Sequence, residues 1–107
     1  MSRGWGLVVA CVLLAGCGDP GDDMQASPAG EQTYTRFCFS CHAAGIAGAP
    51  RTGDRDAWAS RVAKGRDVLL QATIEGVPPG MPPKGLCAQC SDEELAAAID
   101  YMIEHSL

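Results

Sequence analysis

The sequence predicts an all-α domain of three to five short helices. The clearest pattern lies near the end of the chain, where Ser91 and Glu94 form a capping box at the start of a helix. Apolar residues then recur along one helical face: Leu95, Ala98, Ile99, Met102 and Ile103. Residues 45–53 and 77–85 are too rich in glycine and proline for a helix or a central strand. We therefore expect loops between helices there.

Three earlier segments also have helical patterns, and all are short: 31–40, 54–64 and 66–75. Asp54 can cap the second segment, and Gly65 and Gly76 can end the second and third. On the first segment, the rings of Tyr34 and Phe37 fall at helical spacing, which predicts core packing. Together with the last helix, these segments account for the predicted all-α domain.

Length and charge limit the possible functions. A chain of 107 residues forms one small domain, and such a domain often needs a disulfide, metal or cofactor to supplement its core. The formal net charge of −5 argues against nucleic acid as a partner, because a phosphate backbone is bound by a basic patch. An acidic face would suit a partner protein with a basic docking patch.

Residues 1–16 predict an export signal, with Arg3 before the apolar run 7–15. The run is too short to cross a bilayer, which takes about 20 residues. Residues 14–17 read L-A-G-C and resemble the bacterial lipobox, which implies that Cys17 becomes the N-terminus and carries lipid. The alternative is plain secretion with cleavage nearby. Both interpretations place the domain outside the cytoplasm, and the first anchors it at the periplasmic face of a membrane in the cell envelope.

Residues 17–30 follow as lipidated Cys17 and a flexible acidic tether rich in glycine, proline and aspartate. A random coil of this length reaches roughly 20 Å, enough to hold a domain clear of lipid headgroups. Residues 31–107 are then the folded domain.

Residues 38–42 read C-F-S-C-H, the pattern that attaches a c-type haem. On a helix, positions i, i+3 and i+4 share one side, so Cys38, Cys41 and His42 would face the same flat ligand. Two thiols can then add to the vinyl groups along one porphyrin edge, and the imidazole can reach the iron. The C-x-x-C pair alone would also suit a zinc site or a thioredoxin-like redox pair.

Met81 lies at the centre of residues 77–85, which contain four prolines and are expected to form a stiff, extended loop. Given a haem, its thioether can be the sixth iron ligand; the alternative is a packed gap filler. Trp58 can form a wall of the haem pocket or can be a core residue whose indole N–H finds a partner. In the other loop, the small residues 47–49 would allow the chain to lie against a porphyrin face; the alternative is an ordinary surface loop.

Cys87 and Cys90 form a second C-x-x-C pair. Ser91 follows where a haem site needs histidine, so no second haem is expected. Outside the cytoplasm we expect a local disulfide, with catalytic thiol exchange as the alternative. A zinc site could also combine both pairs, although the gap between them is long.

The chain resembles the class I c-type cytochromes, and most narrowly the cytochrome c5 subgroup. Gly30 and Tyr34 precede the haem motif with the spacing G-x-x-x-Y-x-x-x-C-x-x-C-H. Residues 81–85 read M-P-P-K-G, and residues 87–95 read C-A-Q-C-S-D-E-E-L. The resemblance implies an all-α shell wrapped around one covalently attached haem c.

The resemblance also implies roles for individual residues. Cys38 and Cys41 would carry the thioether bonds, and His42 and Met81 would be the axial ligands. The carbonyl of Pro50 would orient the imidazole.

Tyr34 and Tyr101 would lie where the first and last helices cross, with Tyr34 and Trp58 among the haem surroundings. Cys87 and Cys90 would form a structural disulfide.

The expected function is a membrane-tethered, mono-haem, one-electron carrier of a periplasmic or cell-envelope respiratory chain, and not an enzyme. It would dock transiently with redox partner proteins. Two alternatives belong to other classes. A haem enzyme or sensor would need an open sixth position on the iron, and a zinc-binding structural domain would use the four cysteines instead of a haem.

Overall fold

A computed structural model describes Gly16 and residues 28–107. The predicted signal segment up to residue 15, the lipidation at Cys17 and tether residues 18–27 lie outside the described residues.

Residues 28–107 are helical with long connecting loops, which confirms the predicted all-α class. The elements in chain order are α1 (Pro28–Thr33), a π-helical segment (Tyr34–Cys38), α2 (Phe39–His42), a 3-10 turn (Ile46–Gly48), α3 (Arg55–Val62), α4 (Arg66–Glu75) and α5 (Asp92–Glu104). In the described part of the chain, none of these helices combines the length and apolar character needed to cross a membrane.

Helix α1 begins at Pro28, three residues before the predicted start, so residues 28–30 of the predicted tether belong to the helix. Proline suits a first helical position because its missing N–H has no partner there in any case. Gly30 is buried, and a Cβ at this position would collide with the carbonyl oxygen of Ala97 on α5. The first and last helices therefore cross at a distance that only glycine permits.

The Tyr34–Cys38 segment winds as a π-helix within a continuous helical run from α1 to α2. The backbone N–H of Phe39 donates to the carbonyl of Tyr34, which is five residues earlier instead of four. Such wide turns insert an extra residue and often occur at functional sites. Here the extra residue rotates the C-x-x-C-H motif relative to α1.

The caps of the later helices follow the sequence signals closely. The Asp54 carboxylate accepts from the Ala57 N–H at 3.1 Å, and the Ser91 hydroxyl accepts from the Glu94 N–H at 3.2 Å. The Glu94 carboxylate contacts the Ser91 hydroxyl at 3.3 Å instead of its backbone N–H. Helix α3 ends at Val62, before the predicted residue 64, and α4 has the predicted bounds.

Helix α5 supplies residues to both apolar clusters of the core. One cluster contains Tyr34, Trp58, Ala98 and Met102, with Cys38, Tyr101 and Ile103 at its border. The other contains Cys87, Cys90 and Leu95, bordered by Phe37, Leu70 and Ile74. The helical run that bears the C-x-x-C-H motif contacts both clusters, through Cys38 and Phe37. Contacts within the protein alone therefore fix the motif against α5.

Candidate functional site

The two clusters border a cavity of about 660 Å³, within the range of small-molecule and cofactor sites. Its walls come from the C-x-x-C-H region, both loops, α3, α4 and α5. Most lining side chains are apolar, and the charged ones among the described lining residues are all cations: Arg61, Lys64 and Lys84. The cavity thus suits a large apolar ligand that carries negative charge.

Cys38, Cys41 and His42 all line this cavity, as their helical spacing predicts. Both thiols are free and half-buried, whereas His42 is buried. Burial, and to a lesser extent the nearby Cys41, raise the pKa of the Cys38 thiol to about 11. In the folded chain without a ligand, Cys38 is therefore a neutral thiol near pH 7, and a neutral thiol is a weak nucleophile.

The imidazole of His42 is oriented by the loop that follows it. Its Nδ1 lies 2.9 Å from the Pro50 carbonyl oxygen, which can only accept, so Nδ1 carries the proton and donates. The lone pair of Nε2 is then available to a metal. The Thr52 N–H donates to the His42 carbonyl at 2.8 Å, so the same loop holds the backbone of His42.

Trp58 has the position of a cavity wall and the contacts of a core residue. Its side chain lines the cavity and is also part of the core, with 4% of its surface exposed. The indole N–H donates to the Arg51 carbonyl at 2.9 Å. Trp58 thereby ties the loop after Pro50 to α3, and its ring centroid lies 6.2 Å from that of His42.

Met81 lines the cavity from a loop that folds back on itself, instead of running extended as predicted. Val77 and Met81 exchange two backbone hydrogen bonds of 2.9 Å, which close a tight turn around Gly80. The Lys84 N–H donates to the Thr73 carbonyl at 2.7 Å and fixes the end of the loop to α4. The backbone of Met81 is therefore held on both sides.

The two loops meet at Gly80. A Cβ there would collide with the carbonyl oxygen of Ala47, so only glycine permits this approach. The predicted small residues 47–49 all line the cavity.

Tyr34 does not line the cavity, which corrects its assignment to the haem surroundings. It is buried behind the cavity wall, in the cluster that Cys38 borders. Its ring lies 4.8 Å from the ring of Tyr101, centroid to centroid, where the helical run crosses α5. Tyr34 therefore supports the wall from behind, as part of the core.

Cys87 and Cys90 form a disulfide and are 1% and 2% exposed. A four-cysteine zinc site is therefore wrong, because two of its ligands are bonded to each other. Residues 28–107 also contain no group of three or more histidine, cysteine or acidic side chains that could hold a metal ion. Burial of the disulfide leaves little access for thiol exchange.

The residues present fit a haem. One cavity brings together two free thiols, a histidine with Nε2 available, a methionine and apolar walls. Soft thioether and imidazole ligands suit haem iron.

Comparison with known proteins gives the family. The family model described as "Cytochrome C oxidase, cbb3-type, subunit III" matches residues 25–102. The chain is 47% identical over 75 residues to cytochrome c5 of Azotobacter vinelandii, covering 68% of this chain and 89% of that protein. The chain belongs to the class I c-type cytochromes, close to cytochrome c5. It is also 37% identical over 103 residues to cytochrome c-555 of Chlorobaculum tepidum, covering 94% of this chain and 92% of that one.

Two solved structures have the same fold. The first is described as a crystal structure of an electron transfer complex of nitrite reductase with cytochrome c; its TM-score is 0.70 at 41% identity, covering 75% of this chain and 96% of that one. The second is a mono-haem ferrocytochrome c from Shewanella putrefaciens, with a TM-score of 0.64 at 39% identity, covering 72% and 94%. The expected cofactor, one covalent haem c, and the expected class, an electron-transfer protein and not an enzyme, are thus confirmed.

Three features of this cytochrome's site carry no clear sequence signal. Gly80 lies in a segment recognisable as a loop, but its close approach to Ala47 depends on how two distant loops meet. Ser106 follows the last helix and binds Gly53, in the loop after His42, across 53 positions of sequence. The cations of the cavity are scattered along the chain and become a group only in the fold.

Proposed function

We propose that this cytochrome is a lipid-anchored, one-electron carrier of a respiratory chain at the periplasmic face of a bacterial membrane. Its haem would be bonded to Cys38 and Cys41 and ligated by His42 Nε2 and Met81 Sδ. The observation that carries the ligation is that both axial candidates line the cavity that also contains the two free thiols.

Each side chain has a defined task in this proposal. The bound haem supplies one reversible electron through its iron. Pro50 keeps the His42 imidazole in the tautomer with Nε2 free, and its hydrogen bond makes the ring a stronger donor. The backbone turn at Val77 holds the neutral Met81 thioether in place, and such a ligand favours a high reduction potential.

Met81 is a better ligand candidate than Met102, although both line the cavity. Met102 is 5% exposed and belongs to the cluster that contains Trp58. Trp58 lies beside the His42 ring, so Met102 belongs to the histidine side of the site. Met81 belongs to neither cluster and would be free to hold the iron from a separate loop.

The cavity mouth is also the proposed docking surface for redox partners. Four exposed apolar side chains line the cavity and so lie at its rim: Ile46, Val68, Val77 and Leu86. Exposed Lys64 adds positive charge there, and half-buried Arg61 and Lys84 line the cavity behind it, although the protein is acidic as a whole. We therefore propose a partner whose docking patch is apolar and acidic, the opposite sign from that suggested by net charge alone. The nitrite reductase complex offers a precedent, since its cytochrome is a 41% identical relative.

Salt dependence tests the docking proposal. The variant Lys64→Gln should slow reduction of an acidic redox partner at low ionic strength and flatten the salt dependence, because rim charges steer association. Arg55→Gln is the control, since Arg55 is exposed but does not line the cavity. Equal effects of the two variants would point to overall charge instead of a docking patch at the mouth.

The anchor is supported by the lipobox pattern before Cys17. The variant Cys17→Ser should release the protein into the soluble fraction with its haem intact. Continued partition with membranes would contradict the lipid anchor and leave the redox proposal untouched.

The central experiment is an absorption spectrum of holoprotein from a host able to mature c-type cytochromes. We expect a haem stain that survives denaturation, a low-spin reduced-minus-oxidised spectrum, and a weak ferric band from sulfur–iron ligation. A high-spin spectrum without that band would overturn the His42 and Met81 ligation and favour an open sixth position.

A further inference from the structure

We propose that Ser106 is a positioning residue for the axial imidazole of His42. The proposal rests on the proposed function, in which His42 Nε2 ligates the iron. Ser106 does not touch the cavity and follows the end of α5. It acts through the loop of residues 50–54, which carries the hydrogen-bond acceptor for His42.

The Ser106 hydroxyl is buried and both accepts and donates a hydrogen bond. The side chain is only 7% exposed. Its Oγ accepts from the Gly53 N–H at 2.8 Å and donates to the Met102 carbonyl at 2.6 Å. The hydroxyl thus connects the loop to the last turn of α5, and the proton of Oγ has a fixed direction.

The loop transmits this constraint over a very short distance. Pro50 and Thr52 bind His42 from one end of the loop, and Gly53 is bound by Ser106 directly after them. The Asp54 N–H donates to the Arg51 carbonyl at 3.0 Å, so the residues between form a closed turn. Because this segment is short and hydrogen-bonded, a displacement of Gly53 should also displace the Pro50 carbonyl.

The consequence concerns the strength of the bond between Pro50 and His42. Without the Ser106 hydroxyl, the Gly53 N–H loses its acceptor, and the turn loses its attachment to α5. The hydrogen bond to Nδ1 should then weaken, which makes the imidazole a poorer donor to iron. A poorer donor stabilises the ferric state less, so the reduction potential should rise.

The test compares three holoprotein variants with the wild type. Ser106→Ala removes the hydroxyl, Ser106→Thr retains it, and Ser91→Ala removes a hydroxyl that caps the other end of α5. Two quantities are measured in each: the reduction potential, and the rate at which the His42 Nδ1 proton exchanges with water. Urea unfolding of each variant measures the loss of stability separately.

We expect Ser106→Ala to raise the potential and to speed proton exchange roughly five- to tenfold, as the loss of one hydrogen bond predicts. Ser106→Thr should behave like the wild type. Ser91→Ala should be less stable at unchanged potential. If Ser106→Ala leaves both quantities unchanged, or if Ser91→Ala changes them equally, the positioning role is wrong.

Failure of the proposed ligation would be distinguishable. In that case the spectrum of the wild type would lack the features of low-spin histidine and methionine ligation, independently of the potentials and exchange rates of the variants.

Discussion

The two sides of the haem cavity are held by different kinds of contact. On one side is the histidine loop, residues 45–54, which follows α2. On the other is the methionine loop, residues 76–85, which follows α4. The histidine loop is fixed by side-chain hydrogen bonds from His42, Trp58 and Ser106. The methionine loop is fixed mainly by its own backbone, through the paired bonds of Val77 and Met81.

The difference follows from the chemistry of the two proposed ligands. An imidazole has a second nitrogen, so its orientation can be set by an acceptor such as the Pro50 carbonyl. A thioether has no proton to donate and is a weak acceptor, so its position is set by the chain that carries it. We therefore expect the position of the His42 imidazole to depend on polar contacts. The position of the Met81 thioether should depend on the path of its backbone.

The largest expected effect comes from replacing the thioether on the methionine side. Met81→Leu should retain covalent haem but lose the sulfur–iron band of the ferric protein. Its reduction potential should fall by a sizeable part of the roughly 0.8 V range that axial ligands control. Spectroscopy and a redox titration measure both.

Met102→Leu is the matched control, because it replaces a second thioether that lines the same cavity. It should retain the band and lose at most about 1.5 kcal/mol of stability, as for other volume-conserving core changes. A wild-type spectrum and potential for Met81→Leu, with the sulfur–iron band retained, would instead mean that Met81 is not the iron ligand.

The next effect concerns the contact between the two loops. Gly80→Ala should force the methionine loop away from Ala47, at a cost of about 1–3 kcal/mol for overpacking. Part of the population should lose the sulfur–iron band, and unfolding should occur at lower denaturant concentration. Ferric spectra recorded during a urea titration measure both changes.

Gly48→Ala separates collision from backbone strain. Gly48 has a φ of +81°, so alanine is strained there, but the added Cβ meets no protein atom within 4 Å. This variant should lose stability without losing the band. Loss of the band in Gly48→Ala to the same extent would mean that strain in the histidine loop, and not the collision at Gly80, displaces Met81.

Local patterns predicted the parts of the molecule that depend on local chemistry. The caps at Asp54 and Ser91 and the bounds of α4 follow from side chains that act within one helical turn. The C-x-x-C-H motif brings its three functional side chains together for the same reason. Such contacts need no knowledge of the rest of the fold.

The features that local patterns did not predict depend on contacts between distant segments of the chain. Helix α1 includes Gly30, which packs against Ala97 of α5, and local patterns do not predict a contact between residues so far apart in the sequence. The π-helical segment adjusts the helical run to the rest of the domain. Met81 was predictable as a ligand candidate from its proline frame, but the reversed path of its loop depends on the pairing of Val77 with Met81.

The smallest expected effect is on the histidine side and tests whether polar contacts hold it. Trp58→Phe keeps an aromatic ring in the core but removes the donor to the Arg51 carbonyl. The free energy of unfolding should fall by about 1 kcal/mol for the lost hydrogen bond, plus a contribution from the smaller ring. Tyr34→Phe is the control, because it keeps a ring in the same cluster and leaves the histidine loop untouched. If urea unfolding shows equal losses for the two variants, the indole hydrogen bond does not hold this loop, and the contrast between the two sides would disappear.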